Sequence, residues 1–198
     1  MSLLYLTLIL FLTMDPLGNV SPFLTMVQDI DPKRHKFIVL REMLIALVVM
    51  VAFYLLGDFI FNLFHMDDPT LRFTSAVILF LTAIKILFPA ADGLRANIVP
   101  GEPYVVPLAI PLIAGPSLLA TILLFTNQAS SQPIMLQAIF IAWSMALFVL
   151  LFANKLKKYL TENGLMAAER LMGMILVMMA IQRFLEGIKS FIDCKLNC

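Results

Sequence analysis

The sequence predicts an all-α membrane protein of six transmembrane helices, built as two inverted three-helix repeats whose first helices (the first and fourth spans) are broken. Three observations predict it. The 198 residues are 61% hydrophobic and 14% charged, with a mean hydropathy of +0.95. A soluble domain uses roughly 45–50% apolar and about 25% charged residues. The apolar residues fall into six blocks near the ~20 residues that a helix needs to cross ~30 Å of hydrocarbon. Two of those blocks, about a hundred residues apart, are interrupted by glycine and proline.

The blocks are Leu3–Val27, Val39–Phe64, Leu71–Phe88, Tyr104–Phe125, Ile134–Ala153 and Leu171–Ile192. Leu, Ile, Met, Phe and Ala fill them without period-2 alternation, so they read as helices rather than barrel strands. No Lys or Arg precedes Lys33 and no small-x-small site follows Thr13, so the first block is expected to be a retained span, not a cleaved signal. Gln28 to Pro32 reads as a turn with a proline stop, His65 to Pro69 caps the following helix, and Ala90 to Pro103 is the longest connection. Asn127 to Pro133 is short and uncharged, and Thr161-Glu162-Asn163-Gly164 closes the fifth helix.

Orientation follows from the positive charges. Lys33, Arg34, Lys36 and Arg41 flank the first loop, Lys85 and Arg95 the third, and Lys155, Lys157, Lys158 and Arg170 the fifth. The second loop has only Arg72 and the fourth has none. The odd loops are therefore expected in the cytoplasm, with both termini outside.

The first block breaks at Met14-Asp15-Pro16-Leu17-Gly18-Asn19-Val20-Ser21-Pro22. Proline removes a backbone donor and clashes with the preceding turn, and glycine weakens a helix further. A carboxylate at this depth is a functional-site candidate by default. A shift of about a hundred residues lays Asp15-Pro16-Leu17 on Gly115-Pro116-Ser117 and the helix after Arg41 on the one around Trp143. With a small slip, Arg72 falls on Arg170, Ser75 on Gly173 and Lys85 on Arg183. Three helices per half place the halves in opposite senses, with repeat 1 at about 1–92 and repeat 2 at about 104–192 of one membrane domain spanning 1–198. Asp15 and Gly115 each lie about eleven or twelve residues into their blocks, near mid-bilayer at ~1.5 Å per residue.

Three strings in fixed order carry a family resemblance: Met14-Asp15-Pro16-Leu17-Gly18-Asn19, the run from Val106-Pro107-Leu108 to Ala114-Gly115-Pro116, and the run from Glu169-Arg170-Leu171 to Met178-Met179-Ala180. With them the chain resembles the MarC family over all but the Asp193–Cys198 tail. The resemblance implies a six-helix bacterial inner-membrane protein, related to the LysE-type exporters, some of whose relatives are described as neutral amino acid transporters. It fixes no substrate. Ser21 before Pro22 and Ser117 after Pro116 depart from the residues more common in the family, and both stay small and polar.

Helix breaks expose backbone groups that hydrocarbon cannot satisfy. The half-helices that follow Gly18 and Gly115-Pro116 are expected to turn free N–H groups toward an anionic group such as a solute carboxylate. The expected substrate-binding residues are Asp15, Gly18, Asn19, Gly115, Pro116, Ser117 and Thr121, with Pro16, Pro22 and Pro116 as helix breakers. Asp15 has two chemical roles open to it, pairing with a solute ammonium or carrying a coupling proton. A third reading makes it a cap, with Pro16 at the first position of the next helix. Gly115-Pro116 also reads as a kink with close helix packing. Gln182, Arg183 and Glu186 share one face near the outer end, as an outer gate or as interfacial anchors, and Lys85 reads as snorkelling. His35 and His65 read as loop residues without metal-ligand partners, and Met172, Met174, Met178 and Met179 as adaptable packing.

The expected function is a secondary transporter or exporter of small solutes, neutral amino acids or related metabolites, with a site between the broken helices and H+ or Na+ as coupling ion. A passive channel or a helper subunit of a membrane complex is the alternative. An intramembrane enzyme is disfavoured: Gly57-Asp58 hints at an aspartyl protease, but no second carboxylate in a suitable motif would share its proton, and no His-Glu-x-x-His is present. No cofactor or metal is expected, and the Cys194–Cys198 spacing does not close a structural zinc site. The net charge of +1 and the lack of a basic run exclude a nucleic-acid partner. The lipid bilayer is the expected surrounding, and homo-oligomerisation stays open.

Overall fold

A computed structural model describes residues 2–27, 30–64, 68–88, 113–128 and 132–196. Every regular element among them is helical: α1 Leu3–Met14, α2 Val20–Met26, α3 Pro32–Phe64, α4 Asp68–Leu87, α5 Pro116–Gln128, α6 Gln132–Leu151 and α7 Ala153–Leu196. Residues 104–112, the first half of the expected fourth span, lie outside the described residues. Four helices contain stretches long and apolar enough to cross a membrane: Arg34–Gly57, Pro69–Leu87, Pro133–Leu151 and Gly164–Ile192. The helices α1 and α5 are apolar but short, at 12 and 13 residues.

Two expected boundaries move, for local reasons. Pro32 starts a helix rather than stops one, whereas Asp68 and Pro69 open α4 as expected. Proline has no N–H to lose at a position where that N–H has no intrahelical acceptor, and its φ already suits a helix. The expected close at Thr161–Gly164 does not occur, and α7 runs through it. The surrounding Lys, Leu, Ala, Met and Glu are good helix formers, and one interior glycine costs only about 1 kcal/mol. His35 is likewise not in a loop. It lies in the first turn of α3, buried, with its ring 3.0 Å from the Ile30 carbonyl oxygen and 3.3 Å from Asn154 Nδ2.

The bundle is held by three antiparallel helix pairs. Tyr5 near the start of α1 packs edge-on against Phe125 near the end of α5, with ring centroids 6.5 Å apart. Trp143 of α6 donates its indole N–H to the Met43 carbonyl of α3 at 2.7 Å, while His35 at the start of α3 meets Asn154 just past the end of α6. The longest seam joins α4 to α7. Phe73 stacks edge-on with Phe184, Arg72 pairs with Glu186 at 3.5 Å, and at the other end Ile86 and Leu87 lie over Gly173. Besides these pairs, α1 packs on α6, α3 on α5, α4 on α5, and α7 on α1 and α2.

The main hydrophobic cluster runs from Leu6, Leu10 and Met14 through Phe23, Met43 and Met50 to Ile113, Leu118, Ile122 and Ala142. Large apolar side chains also cover the outside, such as Leu44, Phe148, Leu171 and Met178, each more than half exposed. Helices apolar all round are what a lipid surrounding calls for.

Along α7, Gly173, Leu176, Ala180, Arg183 and Gly187 form one buried stripe at helical spacing. A Cβ on Gly173 would lie 3.0 Å from Leu87, whereas one on Gly187 would make ordinary contacts at 3.4 Å. Gly173→Leu should therefore lower stability by about 1–3 kcal/mol through overpacking, while Gly187→Ala leaves it unchanged or raises it. Thermal unfolding in detergent compares the two variants, and equal behaviour would contradict this account of the seam.

Candidate functional site

The break after α1 is a closed turn built from its own residues. Asp15 ends α1 at φ 46° and ψ 57°, the only non-glycine with a positive φ among the described residues. Aspartate tolerates this left-handed region better than most side chains because it can hydrogen-bond locally. Here its Oδ1 accepts the Gly18 N–H at 3.1 Å. Its carbonyl accepts the Asn19 N–H at 3.0 Å, and the Leu17 carbonyl accepts the Val20 N–H at 3.2 Å. Asn19 Nδ2 donates to the Met14 carbonyl at 2.9 Å, satisfying an acceptor that the end of α1 leaves open. A Cβ on Gly18 would overlap the Asp15 carboxyl, which would have to move aside.

This corrects three expectations. The N–H groups of Gly18, Asn19 and Val20 are consumed inside the turn and do not face a ligand. Asp15 caps the end of α1, and Pro16 sits in the turn rather than at the first position of the next helix. Pro22 breaks nothing, because it lies in the first turn of the seven-residue α2, where its missing N–H is harmless.

In the second half, Pro116 is the first residue of α5 and Gly115 precedes it. Pro116 is exposed, whereas Gly115, Ser117 and Thr121 are buried. Thr121 donates its hydroxyl back to the Ser117 carbonyl at 2.6 Å. Ten residues separate Tyr5 from Asp15, and ten separate Phe125 from Gly115. Since Tyr5 meets Phe125, the end of α1 at Asp15 and the start of α5 at Gly115 each lie about 15 Å along their helices from that contact. Met14 and Val20 beside one break share a hydrophobic cluster with Ile113, Ala114 and Leu118 beside the other.

The structure adds two charged residues to this region. Glu169 of α7 is near enough to Asp15 to act on its charge. It stood inside a recognised string, but its place just ahead of the sixth apolar block made it read as part of a loop. Arg183 is 5% exposed and is neither an interfacial anchor nor surface-facing. Its Nη1 donates to Thr121 Oγ1 at 2.6 Å and its guanidinium lies 5.6 Å from the centre of the Phe125 ring. The other two members of the expected outer face behave differently: Gln182 donates to Glu186 at 3.0 Å, and Glu186 also pairs with Arg72.

An apolar helical bundle with acids, amides and hydroxyls buried around a helix break defines a polytopic integral membrane protein with an internal polar site. The chain matches the description "MarC family integral membrane protein" over residues 1–192, and it belongs to the MarC family. It is 43% identical over 185 residues to the inner membrane protein YhgN of Escherichia coli K12, covering 92% of this chain and 94% of that one. A membrane protein of Buchnera aphidicola from Schizaphis graminum is 42% identical over 186 residues, covering 93% and 95%. One from Chlamydia trachomatis is 31% identical over 193 residues, covering 96% and 94%. No solved structure matches the chain.

The turn itself is open to test. Gly18→Ala forces the Asp15 carboxyl aside and should cost about 1–3 kcal/mol, the range for stranding a buried hydrogen-bonding group. Adding Asp15→Gly removes both the obstructing carboxyl and the left-handed strain, so the double variant should recover part of the loss. A Gly18→Ala protein with the unfolding temperature of the parent would contradict the geometry.

Proposed function

We propose that the protein is a secondary transporter or exporter of small zwitterionic solutes, neutral amino acids or related metabolites, with its site between the two helix breaks. The observation that carries this reading is the turn at buried Asp15 that ends α1 inside an apolar bundle, with the start of α5 packed in the same hydrophobic cluster. Irregular backbone at membrane depth is tolerated where it is buried in protein or lines a cavity, and broken helices paired across two repeats mark transporter sites.

The inverted repeat is part of the proposal, and the packing supports it. Exchanging α1–α2 with α5, α3 with α6 and α4 with α7 carries the α1–α6 contact onto the α5–α3 contact and the α5–α4 contact onto the α1–α2 contacts with α7. Each exchanged pair, α1 with α5, α3 with α6 and α4 with α7, runs antiparallel. A two-fold axis in the membrane plane produces that arrangement.

In the proposed mechanism Asp15 pairs with the solute ammonium or carries the coupling H+, Na+ being the other candidate ion, and Asn19, Ser117 and Thr121 supply neutral polar contacts. The chemistry is binding and release, with no covalent step and no cofactor. Arg34, Lys36, Lys155, Lys157 and Lys158 lie at the end of the bundle where His35 meets Asn154, and we assign that end to the cytoplasm by the positive-inside rule. Both termini then face the periplasm.

Asparagine keeps an Oδ1 acceptor for the Gly18 N–H and tolerates a left-handed backbone. Asp15→Asn should therefore insert and fold normally yet lose solute flux in proteoliposomes. Full flux would remove Asp15 from the mechanism and favour a passive channel. For the orientation, a reporter active only in the cytoplasm should stay silent when fused to the C-terminus, and a bright fusion would invert the topology.

A further inference from the structure

We propose that Arg183 is a carboxylate-binding station in the bundle, set at the α5–α7 interface nearer the Tyr5–Phe125 contact than the helix breaks are. Arginine cannot shed its charge in a protein. A buried guanidinium without a compensating anion is costly, and a neutral side chain would pack better. Arg183 is nonetheless 5% exposed, and its Nη2 is buried without a hydrogen-bond partner among the described residues.

Among the described residues, the charged groups around it do not neutralise it. Glu186, about one turn further along α7, is drawn to Arg72 at 3.5 Å and to Gln182 at 3.0 Å, with its side chain 40% exposed. Arg72 adds positive charge to the same corner, where Tyr5 is the remaining titratable neighbour. Thr121 accepts from Nη1 and directs its own hydrogen to the Ser117 carbonyl, so the hydroxyl orients the guanidinium without cancelling its charge. On α1, Thr7 lies two residues beyond Tyr5, and its buried hydroxyl likewise has no hydrogen-bond partner among the described residues.

A planar fork with one nitrogen fixed and the other open, against the Phe125 ring, suits a small carboxylate with an apolar tail. The Thr121–Arg183 bond joins α5 to α7 through Nη1 and leaves Nη2 for a carboxylate. Six residues separate Thr121 from Gly115, about 9 Å along α5. A small amino acid therefore meets Arg183 and the break in succession rather than together. The word station rests on the transport reading given above, but recognition of a carboxylate does not.

The test uses the full chain purified in detergent, with unfolding followed by fluorescence of its single tryptophan, Trp143. Sodium propionate replacing sodium chloride mole for mole should raise the unfolding temperature saturably, because a ligand that binds only the folded state stabilises it. Propionamide, of the same shape but neutral, should not. The propionate shift should persist in Asp15→Asn and vanish in Arg183→Gln. If Arg183→Gln does not fold, Arg183→Lys takes its place and should weaken propionate binding by about tenfold, since lysine keeps the charge but loses the fork. No shift in the parent, an equal shift with propionamide, an undiminished shift in the Arg183 variant, or a larger shift with inorganic phosphate would each overturn the proposal, the last by pointing to a lipid headgroup. Full flux through Asp15→Asn would defeat the transport reading and leave the propionate shift standing.

Discussion

Everything else in this bundle depends on how the backbone is satisfied between Met14 and Val20. A chain that leaves helical geometry inside hydrocarbon strands donors and acceptors at several kcal/mol each. The turn meets that demand from within: the carboxylate of Asp15 takes one N–H, its carbonyl takes another, Leu17 takes a third, and the Asn19 amide returns to Met14. The solution needs a short acid that accepts a left-handed backbone, a residue with no side chain three positions on, and an amide next to it. Those requirements account for Asp15, Gly18 and Asn19 as one unit, without appeal to a ligand. They also make the site stiff, because moving any member strands another.

That stiffness is supported from outside the turn. The buried stripe of α7 presses on α4 with glycine at the tightest approach, and the same helix brings Glu169 toward Asp15 and Arg183 toward Thr121. Along α7 these two residues are fourteen positions apart, about 21 Å. One helix therefore presents an acid to the break of the first half and a cation to the half-helix α5 of the second.

Composition and block length made the helical membrane class legible, because ~20 apolar residues have few other uses in a chain this poor in charge. The break at Asp15–Asn19 was legible from residue types alone. The hydrogen bonds that close it were not: glycine and proline announce a break but do not say whether the freed donors face a ligand or each other. The helix start was misread at Pro32 but not at Pro69, since one residue type both ends helices and begins them, and only the geometry that follows decides. Glu169 and Arg183 were visible as charges, yet their burial depends on which way α7 is turned against α4, and that is a tertiary property. Around Gly164, propensity favoured helix and the reading of a loop relied on polarity, which an uninterrupted helix also tolerates where it leaves the bilayer.

The consumed donors at Gly18, Asn19 and Val20 change where an anion can be recognised. A helix start whose first N–H groups are already bonded offers little to a carboxylate, so the positive end of α2 is a poor anchor despite its direction. Asp15 repels anions, and Glu169 strengthens that field. Among the described residues the cation with an open buried nitrogen is Arg183, held by Thr121 of α5. A zwitterion moving along such a path would meet its positive partner first on one level and its negative partner on the next. Under the transport proposal charge recognition is then divided rather than duplicated, with the acid in the turn that ends α1 and the guanidinium beside α5.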